Sequence, residues 1–139
     1  MSTEQTMRVL VTGAQGFIGK NLVIHLSEKV GFEVLSFVRG DSIEVLNALV
    51  AQADSIVHLA GEIRLADIAD FTIGNIDLTR SLCEAIVANG RNIPLILASS
   101  TQAESETPYG QSKRDAEQIV EGYAIETGNH AVIYRKLYL

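Results

Sequence analysis

Tyr109 and Lys113 lie four positions apart in "ASSTQAESETPYGQSK", residues 98 to 113. On a helix that spacing puts both side chains on one face, provided the first turn reaches back to Tyr109. A cation beside a phenol favours the phenolate and lowers a pKa that is ordinarily ~10, giving a proton donor and acceptor usable near neutral pH. Ser100, just upstream, could share a hydrogen bond to the same substrate oxygen. Ser99 and Thr101 offer the same hydroxyl chemistry, and a capping role would account for some of the three. By spacing alone the pair is as readily an ordinary solvated helix start, so its weight depends on where the chain places it.

A second chemical segment is "TGAQGFIG", with Gly13, Gly16 and Gly19. Glycines there permit a tight turn, a close approach of backbone to a pyrophosphate and close packing of helix on strand. The amides that open the following helix, those of Phe17, Ile18 and Gly19, would then face the phosphates. The spacing is one residue wider than the common G-x-G-x-x-G fingerprint. About twenty residues on, where a dinucleotide site selects its ribose, the chain reads "FVRG". A guanidinium at Arg39 suits a 2′-phosphate by charge and by two-pronged geometry, which favours NADP, or NADPH when reduced. NAD stays the alternative, because Asp41 could reach a ribose hydroxyl.

These segments need a frame that brings them together. "RVLVTG" (8 to 13), "FEVLSFV" (32 to 38), "SIVHLAG" (55 to 61) and "IPLILAS" (93 to 99) read as short strands, and "HAVIYRKLYL" as a fifth. Between them run helical stripes: Ile18, Leu22, Leu26 and Val30; Val45, Leu46, Leu49 and Val50; Thr79, Leu82, Cys83 and Ile86 within 75 to 89; and Ala116, Ile119, Val120 and Tyr123 within about 111 to 127. Gly90 and Gly128 stand where helices stop. Apolar strands alternating with helices call for a parallel sheet covered on both faces. The expected fold class is therefore α/β, a doubly wound Rossmann-type sheet in three layers, with ligands outside the carboxyl ends of its strands. The glycine loop, Arg39, Leu59, Ala60, Gly61 and the segment from Ser99 onward all follow strand ends.

Composition bounds the remaining choices. The 139 residues are 47% hydrophobic and 20% charged, which suits one globular domain over 1–139. The net charge of -6 argues against nucleic acid as the main partner but not against one phosphorylated ligand in a local pocket. Cys83, the one cysteine, sits in an apolar stripe and reads as a packed thiol in a reducing compartment. The start "MSTEQTMRV" has no secretory pattern and no apolar run approaches ~18 residues, so a cytoplasmic protein with no membrane contact is expected. Nothing in the chain calls for a metal.

The motifs "VTGAQGFIGKNL", "IVHLAG", "GNIDLT", "ASSTQ" and "YGQSK", in that order, resemble the extended short-chain dehydrogenase/reductase family of sugar-nucleotide epimerases, dehydratases and reductases. The resemblance implies that Gly13, Gly16 and Gly19 bind the dinucleotide and that Tyr109 is the general acid or base. It implies that Lys113 holds the nicotinamide ribose and tunes Tyr109, and that Ser100 orients the substrate oxygen. Leu59, Ala60 and Gly61 would line the adenosine and ribose side, and Asn75 would support the active-site geometry unless it merely caps its helix. A homodimer through the helices around 75 to 89 and 111 to 127 is implied as well.

A narrower likeness, in "SSTQA...PYGQSK" and the short path from Ser100 to Tyr109, is to bacterial capsular-polysaccharide enzymes that reduce a UDP-linked 4-keto-6-deoxy amino sugar. The resemblance then implies NADPH-dependent reduction of a C4 carbonyl, with a nucleotide sugar as the partner. Members of the family continue beyond the strand equivalent to "HAVIYR" into a substrate domain, so this chain is expected to be the N-terminal part of a longer member and to lack that domain. The other reading is a non-catalytic dinucleotide-binding module or an inactive fragment, against which stands the complete Ser100, Tyr109 and Lys113 set.

Overall fold

A computed structural model of the chain describes residues 6–59 and 68–136, with the backbone alone for 68–75. Its elements alternate as the apolar runs demand: β1 (Met7–Thr12), α1 (Phe17–Glu28), β2 (Phe32–Phe37), α2 (Ile43–Gln52), β3 (Ser55–His58), α3 (Ile68–Asn89), β4 (Leu95–Ser100), α4 (Pro108–Thr127) and β5 (Ala131–Lys136). A short 3-10 turn over Thr101–Glu104 joins β4 to α4. The strands form one parallel sheet in the order β2-β1-β3-β4-β5.

Side chains alternate across each strand, so a strand buried on both faces must be apolar throughout. β1 shows this: Leu10 enters one core with Leu46, Val50, Leu82, Ile86 and Val120, while Val9 and Val11 enter another against Leu22, Val23 and Leu26. Helices α2, α3 and α4 thus cover one face and α1 covers the other, in the three-layer arrangement expected. Helix α1 lies over β1 and its neighbours only. On its side of the far edge Ile96 pairs in register with Val132, and Ala98 with Tyr134. There Ile96, Val132 and Tyr134 are exposed, Tyr134 at 65%, so the edge strand carries apolar surface on that face.

Several boundaries differ from the sequence reading for local reasons. Helix α3 begins at Ile68 rather than near 75, since a glycine inside a helix costs only about 1 kcal/mol relative to alanine and Gly74 does not stop it. Helix α4 begins at Pro108 rather than 111, because Thr107 caps it and proline suits the first helical position. β4 starts after Pro94, which has no amide to give a ladder, although its carbonyl accepts from the Ile56 N–H at 2.9 Å. Helix α1 ends at Glu28, so Val30 leaves the stripe assigned to it and is exposed. In α2 the buried face narrows to Leu46 and Val50, and Val45 is exposed. Gly90 and Gly128 adopt positive φ of 74° and 71° just past α3 and α4, as the stop positions require.

Candidate active site

At the end of β1 the chain turns through Gly13, whose φ of 70° lies in the left-handed region. The Gly16 N–H donates to the Gly13 carbonyl at 3.0 Å and closes the turn. Gly16 is then the cap residue of α1, which has no side-chain cap and no acid in its first turn. Helices α2 and α4 are capped by Ser42 and Thr107. The opening amides of α1, including those of Phe17 and Ile18, are thus left to an outside acceptor at the positive end of the helix dipole. Gly19 is buried, and a Cβ there would run into the Gly13 carbonyl and stand 2.9 Å from the Ala14 Cα. The loop and helix can pack this closely only around glycine, and the cradle fits a pyrophosphate.

The pairing of Thr12 with Phe37 places Arg39, two residues past β2, at the same sheet end as the loop. Arg39 is exposed. Asp41, the alternative ribose contact, has a carboxylate oxygen accepting from the Val38 N–H at 2.9 Å, and its own N–H donates to the Val38 carbonyl at 3.1 Å. Asp41 is thus built into the turn that carries Arg39.

On the other side of the sheet's centre, the Thr107 hydroxyl accepts from the Gly110 N–H at 3.0 Å, so Tyr109 stands in the first turn of α4. The condition for a shared face is met: the Lys113 ammonium lies 5.4 Å from the centre of the Tyr109 ring, within cation–π range. Both are nearly enclosed, at 6% and 8% exposure. Ser100 closes β4, and its Oγ accepts from the Gln102 N–H at 3.1 Å, which leaves its O–H to donate. The Ser99 hydroxyl instead donates to Glu117 at 2.6 Å, so of these two neighbours Ser100 is the one not committed to a carboxylate.

The connection from Ser100 to Tyr109 is stapled down. Arg114 donates to the Ala103 and Ser105 carbonyls at 2.7 and 2.8 Å, and the Ser105 hydroxyl donates to the Gln102 carbonyl at 2.7 Å. A Cβ on Gly110 would collide with Gln102 and Ser105. The one cue to this in the sequence is the glycine directly after Tyr109.

Below the site, His58 is fully buried between the Thr12 hydroxyl, 2.5 Å from Nδ1, and the Thr79 hydroxyl, 2.9 Å from Nε2. Burial first, and then the charge of Lys113, push its pKa down to about 3, so the ring is neutral. Thr12 also accepts from the Leu59 N–H at 3.1 Å, which fixes the end of β3 beside the glycine loop. The Cys83 thiol is buried and its pKa is pushed up to about 12 by burial and by Glu84, as a packed, unreactive thiol requires. Ala60 and Gly61 lie outside the described residues, and so does the side chain of Asn75, whose backbone is in α3. Among the described residues no His, Cys, Asp and Glu group is placed to hold a metal, and no helix is long and apolar enough to cross a membrane.

The sequence profile of the NAD dependent epimerase/dehydratase family matches residues 9–137, from β1 to the end of β5. The chain belongs to that family. Among curated proteins it is 47% identical over 129 residues to the UDP-2-acetamido-2,6-beta-L-arabino-hexul-4-ose reductase of Pseudomonas aeruginosa, covering 93% of this chain and 35% of the relative. Among solved structures it resembles the capsular polysaccharide assembling protein CapF from Staphylococcus aureus, with a TM-score of 0.80 at 36% identity over 93% of this chain and 35% of that one. It shares its fold with RMD from Pseudomonas aeruginosa complexed with NADPH, with a TM-score of 0.79 at 24% identity over 95% of this chain and 53% of that one. The chain thus spans about a third of the length of the first two relatives. The glycine cradle follows β1 and the Tyr109–Lys113 pair follows β4, so the two stand at the same end of the parallel sheet with β3 between their strands.

Proposed function

We propose that residues 1–139 are the NADP(H)-binding domain of a cytoplasmic nucleotide-sugar reductase, which reduces the C4 carbonyl of a UDP-linked 4-keto-6-deoxy amino sugar for surface polysaccharide synthesis. The observation that carries the chemistry is the enclosure of Lys113 5.4 Å from the Tyr109 ring, in the helix that follows the strand closed by Ser100. The substrate class is supported by the 47% identity to a UDP-sugar 4-ketose reductase. The glycine cradle and Arg39 would hold NADPH, which when bound would supply the hydride for the carbonyl carbon, with NAD as the alternative carrier.

Tyr109 gives its phenolic proton to the carbonyl oxygen as that oxygen gains negative charge. Lys113 stabilises the phenolate left behind and holds the nicotinamide ribose. Ser100 donates its O–H to the same oxygen and orients it. Leu59, just past the end of β3, lines the adenosine side. The products are the 4-hydroxy sugar and the oxidised cofactor. Dimer formation through α3 and α4 belongs to the same reading. The test is NADPH consumption with the UDP-linked 4-keto sugar, run in parallel on Tyr109→Phe. Turnover that disappears in the variant while NADPH still binds supports the proposal, and unchanged turnover refutes it.

A further inference from the structure

Glu117 is a carboxylate at 6% exposure on α4, one turn beyond Lys113. Burying a carboxylate is costly unless it is paired and hydrogen-bonded, and here three elements meet on it. The Ser99 hydroxyl, from the end of β4, donates to its Oε2 at 2.6 Å. Arg135, from β5, donates through Nε to Oε2 at 3.0 Å and through Nη2 to Oε1 at 2.7 Å, a two-pronged grip. The same guanidinium reaches Glu104, at the end of the 3-10 turn, at 3.2 Å. Strands β4 and β5 are therefore tied to α4 through one carboxylate, and the 3-10 turn joins them through the same guanidinium. The hydrogen bonds and charges offset the burial and hold Glu117 below the ordinary carboxylate range, with the Lys113 charge contributing.

We infer that Glu117, clamped by Arg135 and Ser99, is a positioning residue that sets the height of α4 against the end of β4 and thereby places Lys113 for the nicotinamide ribose. This rests on the role proposed for Lys113. The glycine cradle and Arg39 lie at the ends of β1 and β2, at the other side of the sheet, so the clamp governs only one half of the dinucleotide.

The two halves separate by titration. The probe for the adenine half is 2′,5′-ADP and for the whole site NADPH, each measured on wild type, Glu117→Gln, Lys113→Met and the double variant. Glu117→Gln is expected to bind 2′,5′-ADP as wild type does and NADPH about tenfold more weakly, the size of one charge-assisted hydrogen bond. Lys113→Met loses about the same, and the double variant loses no more than either single one, because both act through one contact. Equal weakening of the two ligands would mark a merely structural role and overturn the inference, as would unchanged NADPH affinity or losses that add. A wild-type protein that binds neither probe overturns the proposed function itself. Where Glu117→Gln fails to fold, Arg135→Lys, which keeps the charge without the two-pronged grip, must show the same selective NADPH loss, and unchanged affinity refutes the clamp.

Discussion

Acidification should destabilise this protein well before its carboxylates titrate, because of His58. The ring is 0% exposed and its pKa is depressed to about 3, by burial first and Lys113 second. In the unfolded chain it titrates near its ordinary ~6.5. Between those values the unfolded state binds a proton that the folded state refuses, so stability falls as pH drops through 6.5 and goes on falling toward the folded pKa. The slope is ~1.4 kcal/mol per pH unit, which comes to about 2 kcal/mol lost between pH 7 and pH 5. Glu117 adds its own loss only lower, as pH falls below the ordinary carboxylate value of 4.5 toward its depressed one. Urea unfolding followed by circular dichroism at the two pH values measures the change. Glu117 contributes little over that interval, so His58→Gln, which keeps polar groups between Thr12 and Thr79, should start less stable but lose much less on acidification. A variant with the same pH slope as wild type would refute the assignment to His58.

Two further outcomes follow from packing. Gly19→Ala forces a methyl against the backbone of Gly13 and Ala14, which cannot yield as a flexible side chain would, so a loss of about 1–3 kcal/mol in urea unfolding and weaker NADPH binding are expected. Val132→Lys, on the exposed apolar sheet face beside Ile96 and Tyr134, should reduce self-association in light scattering with little change in unfolding midpoint, since the side chain is already half in solvent.

The parts of this fold legible in the sequence are those encoded locally. The uninterrupted apolar run of β1 announces a strand buried on both faces, and Gly90 and Gly128 stop their helices where the periodicity ends. The glycine cradle and the Tyr109–Lys113 spacing were equally local. What could not be read depends on partners far apart in the chain. His58 sits in an apolar strand with nothing nearby to name Thr12 and Thr79, which are 46 and 21 positions away. Glu117 looks like any helical acid until β4 and β5 are placed side by side and bring Ser99 and Arg135, each 18 positions distant, onto it. The 3-10 turn after Ser100 is polar with no apolar period, and its anchor is Arg114, a residue indistinguishable by sequence from a solvated arginine.

In the function proposed, the glycine cradle, Arg39 and the Tyr109–Lys113 pair form one dinucleotide site that prefers NADPH. Titration of NADPH and NADH by nicotinamide fluorescence, on wild type and on Arg39→Ala, tests it most directly. The expected result is NADPH bound about tenfold or more tightly than NADH, as a charge-assisted contact to the 2′-phosphate requires, with the preference erased in Arg39→Ala. Equal affinity of the wild type for the two would contradict the role of Arg39, and binding of neither would contradict the site.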